Sequence, residues 1–502
     1  MTSLIKNKFC IITLIILFIL SQQSTLMALS IEQEAKEGEK FIAEVKKHLE
    51  LVDDPFLNDF INDLGQFLVK AVETRPFNFH FYIIRNEELN AFAGPGGHIF
   101  IHTGLIRAMD DLDELASVMS HEIAHVSKRH ISQQVEQATK LGYGTLLGLL
   151  AGILIGGSDT SEAVMVGTLA AAQQKQLSYS RDAERQADQA GFKYAAKSGF
   201  NPAAIKSALS KLQRGNFGAN KVPAYLLTHP VGPERISNIE SMLSSPYVVE
   251  GGKDKTIQFR KQYPIFRTII MAKYEDRDEM INYFTSELTK SPDSPLENLG
   301  MGIVLEENGE HSKAIDHLKK AIRSLADPQP VLRYLSEAYL FNDEPEMAIS
   351  TLQEALKNNG NDKPSLYTLA KTYQKIEEYK KAIDIYEKLK LMEPVEDSVF
   401  YNLGYSYGKE NKLGPAHYNF GLFYERLRNM KEAGFHFREA KKKTIDNPAL
   451  LKKIDESIEK IDEEDKDKDK KRTTEDPDAP GLPQYSHQLE YKDHQEHLFF
   501  NK

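Results

Sequence analysis

DLDELASVMSHEIAHVSKRH (residues 111–130) carries apolar side chains at Leu112, Leu115, Val118, Met119, Ile123 and Val126. That three-to-four spacing predicts an amphipathic helix. Within it, His121-Glu122-Ile123-Ala124-His125 sets two imidazoles four residues apart, about 40° from each other around a helix axis. Both rings can then reach one cation on the same side. Glu122 stands one step round, beside the position left for water, where a carboxylate can accept a proton and later hand it on. Such a five-residue pattern arises by chance in on the order of a few per cent of chains of this content, so its surroundings matter.

A catalytic zinc takes three protein ligands and keeps one position open. The third candidate is Glu184, within Ser180-Arg181-Asp182-Ala183-Glu184-Arg185-Gln186-Ala187-Asp188. Asp188, one turn further along the same face, could accept the second ring N–H of a ligand histidine and fix its tautomer. Gly191 would let the two helices approach closely. Without the first motif this stretch reads as an ordinary salt-bridged surface helix. A third piece is NAFAGPGGHIFI (residues 90–101). Its Gly/Pro cluster forces a turn. The strand that follows, His98, Ile99, Phe100 and Ile101, is expected to be an exposed edge on which substrate adds as an extra strand; a plain hairpin is the alternative.

Around these motifs the pattern is mixed α+β, over residues 31–262. Residues 77–85 and 98–102 are rich in aromatic and β-branched side chains and predict strands. Residues 174–198 and 202–214 predict helices, with Gly199 a stop and Asn201-Pro202 a start.

From residue 263 the chain becomes all-α and periodic. Ala314, Ala348, Ala382 and Ala416 are each 34 residues apart, and Gly302, Ser336, Ala370 and Gly404 keep the same step. So do Leu305, Tyr339, Tyr373 and Tyr407. Small residues at two positions with bulky ones between them, at this period, are the signature of a tetratricopeptide (TPR) solenoid, whose units bury their apolar faces only by stacking. The register extends back to Met280. After Ala416 it slips by half a period and resumes at Ala433, Phe437 and Ala440. Residues 447–461 predict a capping helix, closing the array at 463. From about Asp462 the chain is charged and then Pro/Gly-rich, and residues 464–502 read as a disordered tail; His487, His494 and His497 there read as solvated.

At the start, Lys6 and Lys8 precede an apolar run from Phe9 to Leu20, and Ala28 stands before a candidate cut. This is the order of an export signal over residues 1–28, with an uncleaved anchor as the alternative. The one cysteine, Cys10, lies inside it, so the mature chain needs no disulfide. Residues 141–157 are apolar and glycine-rich but marginal as a membrane span; for 141–172 peripheral membrane contact is one reading, and a lid over the cleft is what the resemblance described below implies. A formal net charge of −10 argues against a general nucleic-acid binder.

On His121 to His125, Ser180 to Gly191, Asn90 to Gly97, and Thr228-His229-Pro230 with Arg235, the chain resembles the HtpX-like and CAAX-prenyl-protease-like zinc peptidases, which are gluzincins. The resemblance implies a gluzincin-type metallopeptidase domain in which His121, His125 and Glu184 bind one zinc and Glu122 is the base. It implies that His229 can take the fourth zinc position and hold the enzyme off, and that Arg235 lies near the active site. Gly94 and Gln186 depart from the usual pattern, at positions that are not ligands. With an export signal and a repeat array, the resemblance further implies a periplasmic endopeptidase for misfolded or stalled outer-membrane proteins. The array would bind the outer-membrane assembly machinery. The rival expectation is a periplasmic scaffold or chaperone whose proteolysis is minor or silenced.

Overall fold

The computed structural model describes residues 30–137, 179–214, 224–250, 253–325 and 327–472. The expected signal segment, the expected lid over 141–172 and the chain beyond 472 lie outside the described residues. Contacts divide the chain into two compact units, Met1–Leu51 with Ile61–Thr256, and Val52–Phe60 with Ile257–Lys502. No composition shift in the sequence marks the assignment of residues 52–60 to the second unit.

In the first unit the order is α1 (Ile31–His48), the body of α2 (Pro55–Val69), β1 (His80–Ile84), β2 (Ala91–Ala93), β3 (His98–His102), α3 (Thr103–Ala108), α4 (Leu112–Ser127) and α5 (His130–Gln137), followed by α6 (Arg181–Lys197), α7 (Ala204–Arg214), α8 (Ala224–Thr228) and α9 (Pro233–Ser244). Asp111 caps α4 by accepting the Glu114 N–H, and Ser180 caps α6 by accepting the Ala183 N–H. Gly199, at φ 86°, ends the chain's run beyond α6 in a conformation that favours glycine. The sheet has the order β1-β3-β2, β3 running parallel to β1 and antiparallel to β2.

This corrects one expectation. His98, Ile99, Phe100 and Ile101 do not form an edge. Their strand is central, its backbone groups are engaged on both sides, and Ile99, Phe100 and Ile101 are 0% exposed. A continuous apolar run is what a strand covered on both faces requires. The edge strand nearest the chemistry is β2, and α4 packs against it.

The second unit begins with α10 (Lys253–Tyr274), which crosses the boundary, and continues as antiparallel helices: α11 (Arg277–Lys290), α12 (Pro295–Glu307), α13 (His311–Ser324), α14 (Gln329–Phe341), α15 (Pro345–Asn358), α16 (Lys363–Lys375), α17 (Tyr379–Leu389), α18 (Asp397–Lys409), α19 (Leu413–Arg426), α20 (Met430–Lys443) and α21 (Pro448–Arg472). The period is written into the backbone. Gly309, Asp343, Glu377 and Asn411, 34 residues apart, all turn with positive φ between paired helices. The next such turn is at Arg428, half a period on, because α19 closes one pair and opens the next. Small residues sit where expected: a Cβ on Gly302 would come within 2.7 Å of Leu318, and one on Gly421 within 2.5 Å of Phe437. The capping helix runs on to Arg472, past the start expected for the tail. Its Glu, Asp and Lys residues sustain a helix where no proline or glycine interrupts.

Residues 52–60 are tied into this unit by a buried charge. Asp54, 1% exposed, caps the first turn of α2 by accepting the N–H groups of Phe56 and Leu57. Its two oxygens also accept from Arg333 Nη2 at 2.8 Å each, and one accepts from the Tyr334 hydroxyl at 2.9 Å. Burial alone would raise the Asp54 pKa, but Arg333 and Lys273 hold it far below the usual carboxylate range. A folded pKa below the unfolded one means a stabilisation complete above about pH 4 and lost as pH falls toward the folded value. Asp54→Asn leaves Arg333 buried beside a neutral group and is expected to cost about 3–5 kcal/mol at neutral pH. Urea unfolding of both forms checks this: the gap should narrow below about pH 4, and a constant gap contradicts the account.

Candidate metal centre

The zinc-type motif lies on α4, and α6 packs directly across it. The approach is tight because position 191 has no side chain: a Cβ on Gly191 would meet His121 backbone atoms at 3.0 Å. Glu184 and Asp188 thereby face His121 and His125. His229 follows α8, and Arg235 lies in the first turns of α9, which packs on α6.

His121, His125, Glu184 and His229 are all buried, and one donor atom from each lies within 4.8 Å of the others. His121 Nε2 and His125 Nε2 are 3.0 Å apart. Glu184 Oε1 is 3.4 Å from His125 Nε2 and 3.0 Å from His229 Nδ1, and its Oε2 is 3.6 Å from His121 Nε2. His229 Nδ1 is 3.4 Å from His121 Nε2.

Partners behind the rings set their faces. His121 Nδ1 is 2.9 Å from Asp188 Oδ1; donating that N–H leaves Nε2 as a lone pair aimed into the cluster. Asp188 is held in turn by Arg235, which donates from Nε and Nη2 at 2.9 Å each. Arg235 Nη1 also reaches Glu184 Oε2 at 2.5 Å. Glu122 is 0% exposed, and among the described residues neither of its carboxylate oxygens has a hydrogen-bond partner. His229 Nε2 stands 3.6 Å from Glu122 Oε1.

The electrostatics follow from this crowding. Burial would lower the His121 pKa, but hydrogen bonds to Asp188 and Glu184 raise it to about 9. Burial, which Glu184 offsets only in part, lowers His125 well below the ordinary histidine value. Burial raises Glu122. Burial works against ionised Glu184, yet His229 and Arg235 hold its carboxyl well below the usual range. Three imidazole nitrogens and a carboxylate converging at a buried point form a donor set that suits a divalent cation. The Glu122 carboxylate beside them, without a hydrogen-bond partner among the described residues, fits a role in which its proton partner is a reactant. The residues present therefore fit zinc.

Sequence reasoning passed over three groups. His130 Nδ1 lies 3.1 Å from His125 Nδ1, backing His125 as Asp188 backs His121. Counted along one helix, five residues would turn His130 about 140° away from His125. Instead Arg129, at φ 56°, ends α4 and folds His130 back, which no periodicity reveals. The Tyr179 ring packs on His125 at a tilt of 33° with ring centroids 3.9 Å apart, and Tyr225 stacks on His229 at 4.4 Å; an isolated tyrosine near a motif carries no signal of this kind.

Residues 58–243 match the family model Peptidase family M48, and residues 307–389 match Anaphase-promoting complex, cyclosome, subunit 3. The chain is 38% identical over 212 residues to the beta-barrel assembly-enhancing protease of Yersinia pestis, covering 42% of this chain and 44% of that one. It is 35% identical over 230 residues to the protein of the same name from Escherichia coli, covering 45% of this chain and 47% of that one. A mitochondrial metalloendopeptidase of Schizosaccharomyces pombe is 28% identical over 33% of this chain and 47% of its own length. The chain thus spans about half the length of the curated relatives it matches. The paired histidines, the distant glutamate and the match to Peptidase family M48 all fall on the same stretch, residues 58–243.

Proposed function

We propose that this chain is a zinc-dependent endopeptidase of the bacterial periplasm. Its substrates would be misfolded or stalled outer-membrane proteins, and its TPR array would bind partners in outer-membrane assembly. The names of its relatives support the cellular role. The observation that carries the chemistry is Glu122: a fully buried carboxylate with no hydrogen-bond partner among the described residues, one residue after His121 in the metal-type cluster.

His121, His125 and Glu184 would hold the ion. A divalent cation there supplies Lewis acidity, lowering the pKa of water and polarising a carbonyl. Glu122 accepts the proton of the attacking water as its oxygen bonds to the scissile carbonyl carbon. It then delivers that proton to the amine nitrogen as the C–N bond breaks. Burial raises the Glu122 pKa, which brings one group closer to doing both jobs. Asp188 fixes the His121 tautomer, and Arg235 fixes Asp188. His229 is the fourth donor, so substrate turnover requires its segment to move. That closed arrangement also favours the rival reading, a scaffold with a silenced peptidase.

Chelation separates the two. Dialysis of the purified chain against a chelator should abolish cleavage of an unfolded β-barrel protein, and added zinc should restore it. Cleavage that survives metal removal contradicts the proposal.

A further inference from the structure

The two histidines of the motif are backed by different chemistry. Behind His121 stands a carboxylate, with Asp188 Oδ1 2.9 Å from Nδ1. Behind His125 stands a second imidazole, with His130 Nδ1 3.1 Å from His125 Nδ1. A histidine that gives Nε2 to a cation keeps its proton on Nδ1. His130 must then accept at its own Nδ1. The aim of the His130 ring therefore decides whether His125 is held in the metal-binding tautomer.

That aim is set by the corner between α4 and α5. Lys128 and Arg129 separate the two helices, and Arg129 turns with φ 56°. A non-glycine residue rarely adopts that conformation and keeps it where its surroundings hold it there. The holder is Glu34 of α1, 95 residues earlier. Its Oε2 accepts from Arg129 Nε at 3.0 Å and from Nη2 at 2.9 Å. The same oxygen accepts from the Ser132 hydroxyl in the first turn of α5. Arg129 Nη2 also donates to Ser132 Oγ at 3.2 Å. One carboxylate thus grips the chain on both sides of His130. Glu34, Ser132 and His130 are all buried, which strengthens these bonds.

Glu34 is itself fixed in place. Gly38, one turn further along α1, lies against Pro95 and Gly96. A Cβ on Gly38 would come within 2.6 Å of the Pro95 carbonyl oxygen and 2.8 Å of Gly96 Cα. The helix that carries the clamp is seated by backbone contact.

We propose that Glu34 is a positioning residue for the metal: by clamping Arg129 and Ser132 it holds His130 against His125, so that α1 contributes to metal affinity without supplying a ligand. This rests on the reading of His121, His125 and Glu184 as the zinc donors. The coupling is reciprocal. Whatever loosens α1 weakens the hold on the ion, and the bound ion firms the seat of α1.

The test is the zinc affinity of the purified full chain, measured by competition with a chromogenic chelator. A wild-type chain that binds no zinc overturns the donor reading. His130→Ala should bind about 10–100-fold more weakly, the usual cost of losing an outer partner of a ligand. His130→Asn keeps an acceptor in the place of Nδ1 and should recover most of that loss. Glu34→Gln should weaken binding about tenfold in the wild-type background and not at all in the His130→Ala background. Equal losses in both backgrounds would make the Glu34 effect a general one and overturn the linkage. Adding Arg129→Gly to Glu34→Gln should restore affinity, because glycine takes positive φ without a clamp; no restoration removes the corner as the carrier. Should Glu34→Gln fail to fold, His130→Ala decides: a His130→Ala chain with wild-type zinc affinity overturns the proposal while leaving the three donors in place.

Discussion

Glu122→Gln is expected to lower kcat on an unfolded β-barrel substrate by about 10²–10⁴-fold, the range that a positioned general acid–base supplies. The substitution is nearly isosteric, and among the described residues neither carboxylate oxygen of Glu122 has a hydrogen-bond partner to lose. The metal donors are untouched, so metal content should stay at the wild-type level. Thermal stability should hold or rise, since a buried carboxylate with no hydrogen-bond partner among the described residues is replaced by a neutral amide. KM should change little, because Glu122 acts on the proton and not on the peptide. A drop in kcat with metal and stability intact assigns the proton work to this side chain. Unchanged cleavage would remove Glu122 from the mechanism and leave the cluster as a binding site only.

The second large effect is expected from His125→Ala. His125 Nε2 is 3.0 Å from His121 Nε2 and 3.4 Å from Glu184, and its ring is backed by His130 and packed against Tyr179. Losing an outer partner of a ligand typically costs 10–100-fold in metal affinity; losing the ligand should cost more. Cleavage should fall below detection at micromolar zinc. Wild type should also show a melting temperature that rises with zinc, since an ion that binds only the folded chain stabilises it by mass action. The variant should lose that dependence. A His125→Ala protein whose melting temperature still tracks zinc would place the ion elsewhere.

Much of this was legible in the residues, for identifiable reasons. A fixed spacing is local information, so the pair of histidines four apart and the 34-residue step of Ala314, Ala348, Ala382 and Ala416 could be read directly. Glu184 and Asp188 were read from the acidic helix that follows, His229 and Arg235 came from resemblance, and the fold brings all four around His121. What depends on partners far along the chain was not legible. The centrality of His98 to Ile101 depends on what pairs on each side, and an apolar strand does not announce its neighbours. Asp54 looks like a plain helix cap until Arg333, 279 residues away, arrives at its side chain. His130 was hidden by one left-handed residue, Arg129. The second function of α19, closing one helix pair and opening another, shows in sequence only as a half-period slip.

The zinc-edge X-ray absorption spectrum of the purified chain, compared with that of Glu184→Ala, addresses the central claim most directly. One zinc per wild-type chain with only nitrogen and oxygen neighbours at about 2.0–2.2 Å, and a lost or altered first coordination sphere in Glu184→Ala, is the predicted result. Identical spectra from the two proteins would contradict it.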